Sequence, residues 1–318
     1  MDTKIIPQVS VIIPNYNHSN YLIKRIESVL NQSYQDFELI ILDDCSTDNS
    51  REIIEPYKNN KKVSKILFNE KNSSSTFKQW QKGINTANGK YIWIAESDDY
   101  ADLSFLKEAV KRFTNDPEVG IVYCDSSVVR DKKIETDFYK KYRNSNFKTN
   151  RWDFDYLTTG KDEVNNYLIY DCTINNTSAM IFKKNLVDDR LFHNLNLFRY
   201  SGDWYFFLYI AQNCKISYIS SALNYFRQGT NNFAKGVKSP LNHFRERSVV
   251  RYQILKDFPE NIDSSKKVFK QLGEEFMFKL FETIKSPSNI GRFYKTCKQL
   301  YSFNKKFFFK QLKYSFSK

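Results

Sequence analysis

Val9, Ser10, Val11, Ile12 and Ile13 form a short apolar, β-branched run that stops at Pro14, the pattern of a buried strand ended by proline. The period then changes: Tyr21-Leu22, Ile26 and Val29-Leu30 recur at helical spacing, with Ser19 or Asn17 placed to cap the helix and Asn31 and Ser33 to end it. A second strand, Phe37 to Leu42, runs into Asp43-Asp44-Cys45-Ser46-Thr47-Asp48 and a helix from about Asn49 to Tyr57. Ile66 to Phe68 predicts a weak third strand, Thr76 to Thr86 a helix, Tyr91 to Ala95 a fourth strand, Ser104 to Phe113 a helix and Gly120 to Tyr123 a fifth strand.

Strand and helix alternating at this spacing predict βαβ units, right-handed crossovers and an α/β fold whose mostly parallel sheet carries helices on both faces. Ligands in such sheets collect at the carboxyl ends of the strands. The first, second and fourth strands end in Pro14-Asn15-Tyr16-Asn17, Asp43-Asp44 and Glu96-Ser97-Asp98-Asp99, so polar groups accumulate on that edge. The second half is less regular. A lysine-rich aromatic stretch from about Asp131 to Lys161 reads as a surface excursion, Ser178 to Phe182 as a strand, and Asp203 to Ala211, apolar almost all round, as a helix buried on most faces. Two short strands near Ile216 to Ile219 and Leu223 to Phe226 precede helices from about Pro240 to Leu255, Ser264 to Ile284 and Gly291 to Lys313.

Composition narrows the class. With 41% hydrophobic and 16% aromatic residues in 318, packing outweighs the entropy of folding, so a disordered chain is excluded. Nine glycines and seven prolines exclude collagen-like and linker-like chains. No run reaches the roughly 18 to 20 apolar residues that cross a bilayer, and the start lacks signal-peptide features, so the expected location is cytoplasmic. Five scattered cysteines without a C-x-x-C pair point to buried free thiols. The net charge of +13 is uneven: Thr283 to Lys318 holds nine Lys/Arg and no acid, leaving only +4 on the rest. That tail interleaves Lys with Phe and Tyr, which suits contact with an anionic lipid surface; a helix packing its aromatics on the body accounts for it equally. It matches no nucleic-acid-binding signature, so no nucleic acid is expected as a partner.

The candidate chemistry lies in the acids. Glu96, Asp98 and Asp99 crowd three carboxylates into four residues, which raises pKa values unless a cation is shared. Mg²⁺ or Mn²⁺ would relieve the crowding and bridge to phosphate oxygens; a solvated loop capping the helix near Ser104 explains the same residues, and spacing alone does not choose. Asp43-Asp44 is either a cap or a carboxylate placed to accept from a base or ribose. The turn after the first strand contains no G-x-G-x-x-G, so a nucleotide would be held differently, with Tyr16 placed to stack on a base. Asp203 heads the buried helix as an N-cap or as a general base whose pKa is raised by apolar walls. His18, His193 and His243 are isolated in sequence.

Taken together, VSVIIPNYNHSNYLIKRIESVLNQSYQDFELIILDDCSTDNSREII, ANGKYIWIAESDD and SGDWYFFL resemble family 2 glycosyltransferases of the GT-A fold, over roughly residues 7 to 230. The resemblance implies a nucleotide-sugar donor, commonly a UDP-sugar, and inverting transfer of a hexosyl or N-acetylhexosaminyl group to a hydroxyl. It places Pro14 and Tyr16 beside the base, with Asp44 bonding the base and Asp43 next to it, and Asn17, Glu96 and Ser97 among the residues that bind the nucleotide-sugar. Asp98 faces the ribose or a Mg²⁺ or Mn²⁺ ion, Asp99 helps hold that ion on the diphosphate, and Asp203 falls at the position of the catalytic base. Glu96 stands where the family often has Asp, and Arg227-Gln228-Gly229 where it often has a histidine in place of the glycine. Lys78 and Gln79, with the loop Asn72 to Thr76, are placed to cover the donor.

The implied layout is a catalytic domain over 1–235 and a helical C-terminal extension over 236–318. Cell-surface polysaccharide synthesis in a bacterium fits, with a glycan or lipid-linked glycan acceptor and peripheral contact with the inner face of the membrane through the tail. Two other classes stand below this one: a nucleotidyltransferase, whose product would retain the nucleotide, and a non-catalytic polyanion- or membrane-binding protein. Neither explains acids gathered at three strand ends.

Overall fold

The computed structural model describes residues 6–131, 133–229, 240–260, 265–285 and 290–315. Strands β1 (Val9–Asn15) and β2 (Phe37–Asp43) are buried along their whole length, which is why they read as unbroken apolar runs. They pair in parallel; β3 (Val63–Phe68) extends the set beyond β2, and β4 (Tyr91–Ile94) lies on the other side of β1. The connecting helices are α1 (Ser19–Leu30), α2 (Ser50–Ile54, followed by a 3-10 turn) and α3 (Thr76–Thr86). Gly83 lets α3 approach the sheet, since a Cβ there would come within 2.4 Å of Ile12.

Then follow β5 (Tyr100–Ala101), α4 (Phe105–Asn115), β6 (Val119–Arg130), β7 (Lys133–Glu135), α5 (Phe138–Phe147), β8 (Tyr156–Thr159), α6 (Gly160–Glu163), β9 (Met180–Lys183), α7 (Asp189–Leu195), α8 (Gly202–Ile210) and β10 (Lys215–Arg227). The sheet order is β3-β2-β1-β4-β9-β6-β10-β5, with β7 on β6 and β8 on β10. β9 runs antiparallel between β4 and β6, and β10 lies parallel to β6. The expected parallel α/β sheet is present and becomes mixed in its second half.

The chain divides into two compact units. Residues 1–160, 173–196 and 213–230 carry the sheet; residues 161–172, 197–212 and 231–318 form a helical unit containing α8. The boundary expected at 235/236 lies outside the described residues. The helical unit also contains α9 (Pro240–Asp257), α10 (Ser265–Ile284), α11 (Ile290–Phe303) and α12 (Lys305–Ser315). Its core is aromatic: the Phe276 and Phe293 rings are 5.4 Å apart, and Phe307 lies 4.7 Å from Tyr252 and 5.9 Å from Phe269. Gly273 lets the backbone of α12 pass, since a Cβ there would meet Tyr314 at 2.6 Å.

Several expectations need correction. Pro14 does not end β1: the ladder to β4 stops at Ile12, so on that side no partner strand needs the N–H that proline lacks, and β1 continues paired with β2. Neither Ser19 nor Asn17 caps α1; Asp48, from the loop after β2, accepts the Ser19 N–H at 2.9 Å. The stretch from Asp131 to Lys161 is no simple excursion, because Tyr139, Arg143 and Trp152 are buried and Arg143 pairs with the buried Asp125 of β6. The two short strands near the end of the sheet are one, β10, whose register against β6 shifts around Ala222. The last long helix is two, broken at Asn304, whose side chain accepts the Phe307 N–H at 2.9 Å and starts α12.

Candidate active site

Parallel pairing brings three loops to one edge of the sheet. Asn15 sits opposite Asp43 in the β1–β2 register, and the N–H of Ala95, just past β4, donates to Ile12 of β1 at 2.8 Å. Asp43 is buried and accepts from Asn15 Nδ2 at 2.8 Å, Ser46 Oγ at 2.6 Å and the Ser46 N–H at 3.0 Å. Asn17 and Cys45 have φ of 57° and 61°, the left-handed backbone that turns these loops sharply. Asn17 then ties them together, its side-chain oxygen accepting the Thr47 N–H at 2.7 Å.

Asp44, also buried, organises the loop that follows β3. It accepts from Asn69 Nδ2 at 2.6 Å, Ser73 Oγ at 2.7 Å, the Ser73 N–H at 2.9 Å and Gln79 Nε2 at 2.9 Å. Lys78 is exposed beside Gln79. Pro14 is buried within its strand, whereas the Tyr16 ring is 46% exposed and available as a flat face.

The Glu96–Asp99 turn is held by five residues, Arg25, Trp80, His18, Asn176 and Arg227. Arg25 of α1, fully buried, donates Nε–H to the Glu96 carbonyl at 2.8 Å and holds a terminal nitrogen 3.9 Å from Asp99. Trp80 Nε1 donates to the Glu96 carboxylate at 2.8 Å, and His18 bonds Ser97 Oγ through Nδ1 at 2.8 Å. Asp99 is buried, with one oxygen accepting from Asn176 Nδ2 at 2.8 Å and the other from the Arg227 N–H at 3.0 Å. Arg227 also donates from its guanidinium to the Asp98 carbonyl at 2.7 Å, whereas its neighbour Gln228 turns to Tyr139, donating Nε2–H to the hydroxyl at 2.8 Å. Asp98 keeps part of its surface exposed.

Burial, reinforced by the Asp98 charge, pushes the Glu96 carboxyl up to about 8. Burial and Asp98 raise Asp99 to about 6 against the opposing pull of Arg25. A divalent cation bound by oxygens would offset the Asp98 repulsion that adds to the effect of burial, so the donor set fits Mg²⁺ or Mn²⁺. Among the described residues no group of three His, Cys, Asp or Glu side chains is arranged to hold a metal by itself. An ion at Asp98 would therefore complete its coordination with oxygens from a ligand or water.

Asp203 lies in the helical unit, in the first turn of α8. It does not cap the helix: Ser201 precedes it, and Asp203 accepts the N–H of its neighbour Trp204 at 2.8 Å. Glu246 of α9, buried, instead holds the segment that leads into the helix, accepting the N–H groups of Tyr200 at 2.7 Å, Ser201 at 2.9 Å and Arg199 at 3.1 Å. Trp204 is anchored by Nε1 to the Leu168 carbonyl at 2.6 Å. Burial raises the Asp203 carboxyl to about 6, with a smaller contribution from the Glu246 charge.

Sequence reasoning missed Arg25, Asn176 and Glu246, and singled out Arg227 only as part of the Arg227-Gln228-Gly229 segment, without its bond to Asp99. Only Arg25 left a signal: it shares the apolar face of α1 with Leu22, Ile26 and Val29, and an arginine there needs a buried partner.

The sequence profile described as Glycosyl transferase family 2 matches residues 10–189, more than half of the chain. The chain belongs to glycosyltransferase family 2. Among relatives of this family 2 chain, the poly(ribitol-phosphate) beta-N-acetylglucosaminyltransferase TarS of Staphylococcus aureus is 36% identical over 136 residues, 42% of this chain and 23% of TarS. Glycosyltransferase GlyG of Streptococcus pneumoniae is 35% identical over 118 residues, 36% of this chain and 39% of GlyG. This family 2 chain thus matches well under half the length of these curated relatives. The crystal structure of TarS 1–349 in complex with UDP-GlcNAc superposes with a TM-score of 0.66 at 19% identity, over 92% of this chain and 80% of that one. The architecture is the GT-A type expected from the sequence.

Proposed function

We propose that the protein is a metal-dependent inverting glycosyltransferase. It moves a sugar from a UDP-sugar to the hydroxyl of a glycan or lipid-linked glycan, in the assembly of a bacterial cell-surface polysaccharide at the inner face of the membrane. The observation that carries this reading is the Glu96–Asp99 turn: rigidly held, rich in acid, and leaving Asp98 accessible at the carboxyl edge of a parallel sheet. The TarS structures with UDP and UDP-GlcNAc support the choice of donor.

Tyr16 stacks on the base, Asp43 and Asp44 hold the loops around it, and Asp98, with Glu96 and Asp99 behind it, would hold Mg²⁺ or Mn²⁺. The cation, when bound, offsets charge on the leaving diphosphate. Asp203 takes the proton from the acceptor hydroxyl. The freed oxygen forms its bond to the anomeric carbon from the face opposite the diphosphate, and the nucleoside diphosphate leaves with the electron pair of the broken C–O bond.

Thermal unfolding with Mn²⁺ and a panel of nucleotide-sugars tests the donor: a UDP-sugar at about 100 times its Kd stabilises by about 2.7 kcal/mol, and other nucleotides much less. Proton NMR of the product should then show an inverted anomeric centre. A product that keeps the nucleotide, or a panel with no effect, overturns the reading. Glu246→Gln keeps an acceptor for the 199–201 backbone but removes a charge that raises Asp203. It should therefore move the acid limb of kcat/KM to lower pH; an unmoved limb would leave Glu246 a purely structural anchor of the 199–201 segment.

A further inference from the structure

The C-terminal helices carry an apolar stripe that their own packing covers only in part, leaving Cys297 and Tyr301 half-buried and Ile290, Tyr294 and Phe309 exposed. Phe293, Thr296 and Leu300 of α11 face inward. Ile290, Tyr294, Cys297 and Tyr301 follow one another by four, three and four residues, a second line along the same helix. Ile290 is exposed and Tyr294 is 69% exposed; Tyr301 meets the rings of Phe308 and Phe309 edge-on at 6.0 Å, and Phe309 of α12 is 58% exposed. The stripe therefore runs continuously from α11 onto α12. A folded chain that keeps such rings in water carries a cost that a partner would remove.

Charge selects the partner. Lys298 is one helical turn beyond Tyr294, and Lys305 holds its ammonium 5.4 Å from the Tyr301 ring centroid. From Thr283 to Lys318 there are nine Lys/Arg and no acid. A second copy would bring the same positive surface against itself, whereas an anionic bilayer offers opposite charge to the lysines and an apolar layer to the rings. Among the described residues no helix is long and apolar enough to cross a membrane, which leaves contact in the plane of the interface.

We infer that the Ile290–Tyr294–Tyr301–Phe309 face of α11 and α12 docks on an anionic phospholipid surface. Its rings enter the headgroup layer and its lysines sit over lipid phosphates.

The test is co-sedimentation of the full chain with vesicles of phosphatidylcholine alone or mixed with about 30% phosphatidylglycerol, at low and high salt. Partitioning onto the anionic vesicles should be at least about tenfold stronger and fall with salt. Tyr294→Glu combined with Phe309→Glu should lose about tenfold or more, with thermal unfolding and UDP-sugar binding unchanged because both side chains are exposed. Equal binding to neutral vesicles, or wild-type binding by the double variant, overturns the inference. Loss on Lys298→Gln/Lys305→Gln but not on the double variant would mark a surface for soluble polyanions instead. A double variant that turns a dimer into a monomer would mark a self-interface. None of these readouts needs sugar transfer, so failure here leaves the catalytic proposal standing, and the reverse.

Discussion

Asp203→Asn should reduce kcat by about 1,000-fold, the typical worth of a positioned general base, while the affinity for the UDP-sugar stays within about twofold. The asparagine keeps an oxygen for the Trp204 N–H and leaves the first turn of α8 intact. In the wild type the base works only when ionised. With the carboxyl raised to about 6, kcat/KM should climb as pH rises through that value and then level off. The stability effect has the opposite sign. A carboxyl whose folded pKa lies above its unfolded one favours the folded state while protonated, and that advantage fades as pH rises from the ordinary aspartate range through about 6. Asp203→Asn, uncharged throughout, should therefore unfold at the same or a higher temperature than wild type at pH 8. A variant that loses transfer and stability together would point to a structural aspartate; one that turns over normally would remove Asp203 from the reaction.

Legibility followed locality. β1, β2 and α3 could be read from the chain because strands buried on both faces give near-continuous apolar runs and because Phe77, Trp80 and Ile84 recur at helical spacing within one short window. The region after β6 could not. Its order depends on Arg143 reaching the Thr173 carbonyl at 2.9 Å and the buried Asp125, contacts that a lysine-rich sequence conceals. β10 looked like two strands because Ser220 and Ser221 interrupt its apolar pattern just where its register shifts.

The candidate site divides in the same way. Its acids stand at strand ends and announce themselves. The groups that hold them come from afar: Asn176 lies 77 residues from Asp99 and Arg227 lies 128 residues away, beyond any pattern in a local window. The structure also separates residues that the sequence ran together. Asp43 and Asp44 share one dipeptide, yet the first closes the β1–β2 loops and the second the loop after β3.

The same separation makes Asp98 and Asp99, adjacent in sequence, fail in different ways. Asp99→Ala leaves the fully buried Arg25 without the acid 3.9 Å away, and the Asn176 amide and Arg227 N–H without their acceptor. Stripping the partner from a buried charge costs about 3 kcal/mol or more, so chemical denaturation should register a large loss of stability with or without donor. Asp98 keeps part of its surface exposed, and Arg227 reaches its backbone carbonyl. Asp98→Asn should therefore fold close to wild type and lose donor affinity by about 100-fold in Mn²⁺, while binding in EDTA changes little. Titration of both variants with a UDP-sugar, with Mn²⁺ or with EDTA, beside denaturant unfolding, separates the two roles. If Asp99→Ala folds normally and loses only Mn²⁺-dependent binding while Asp98→Asn retains it, the ligand is Asp99, and the buried network around it serves the cation rather than the fold.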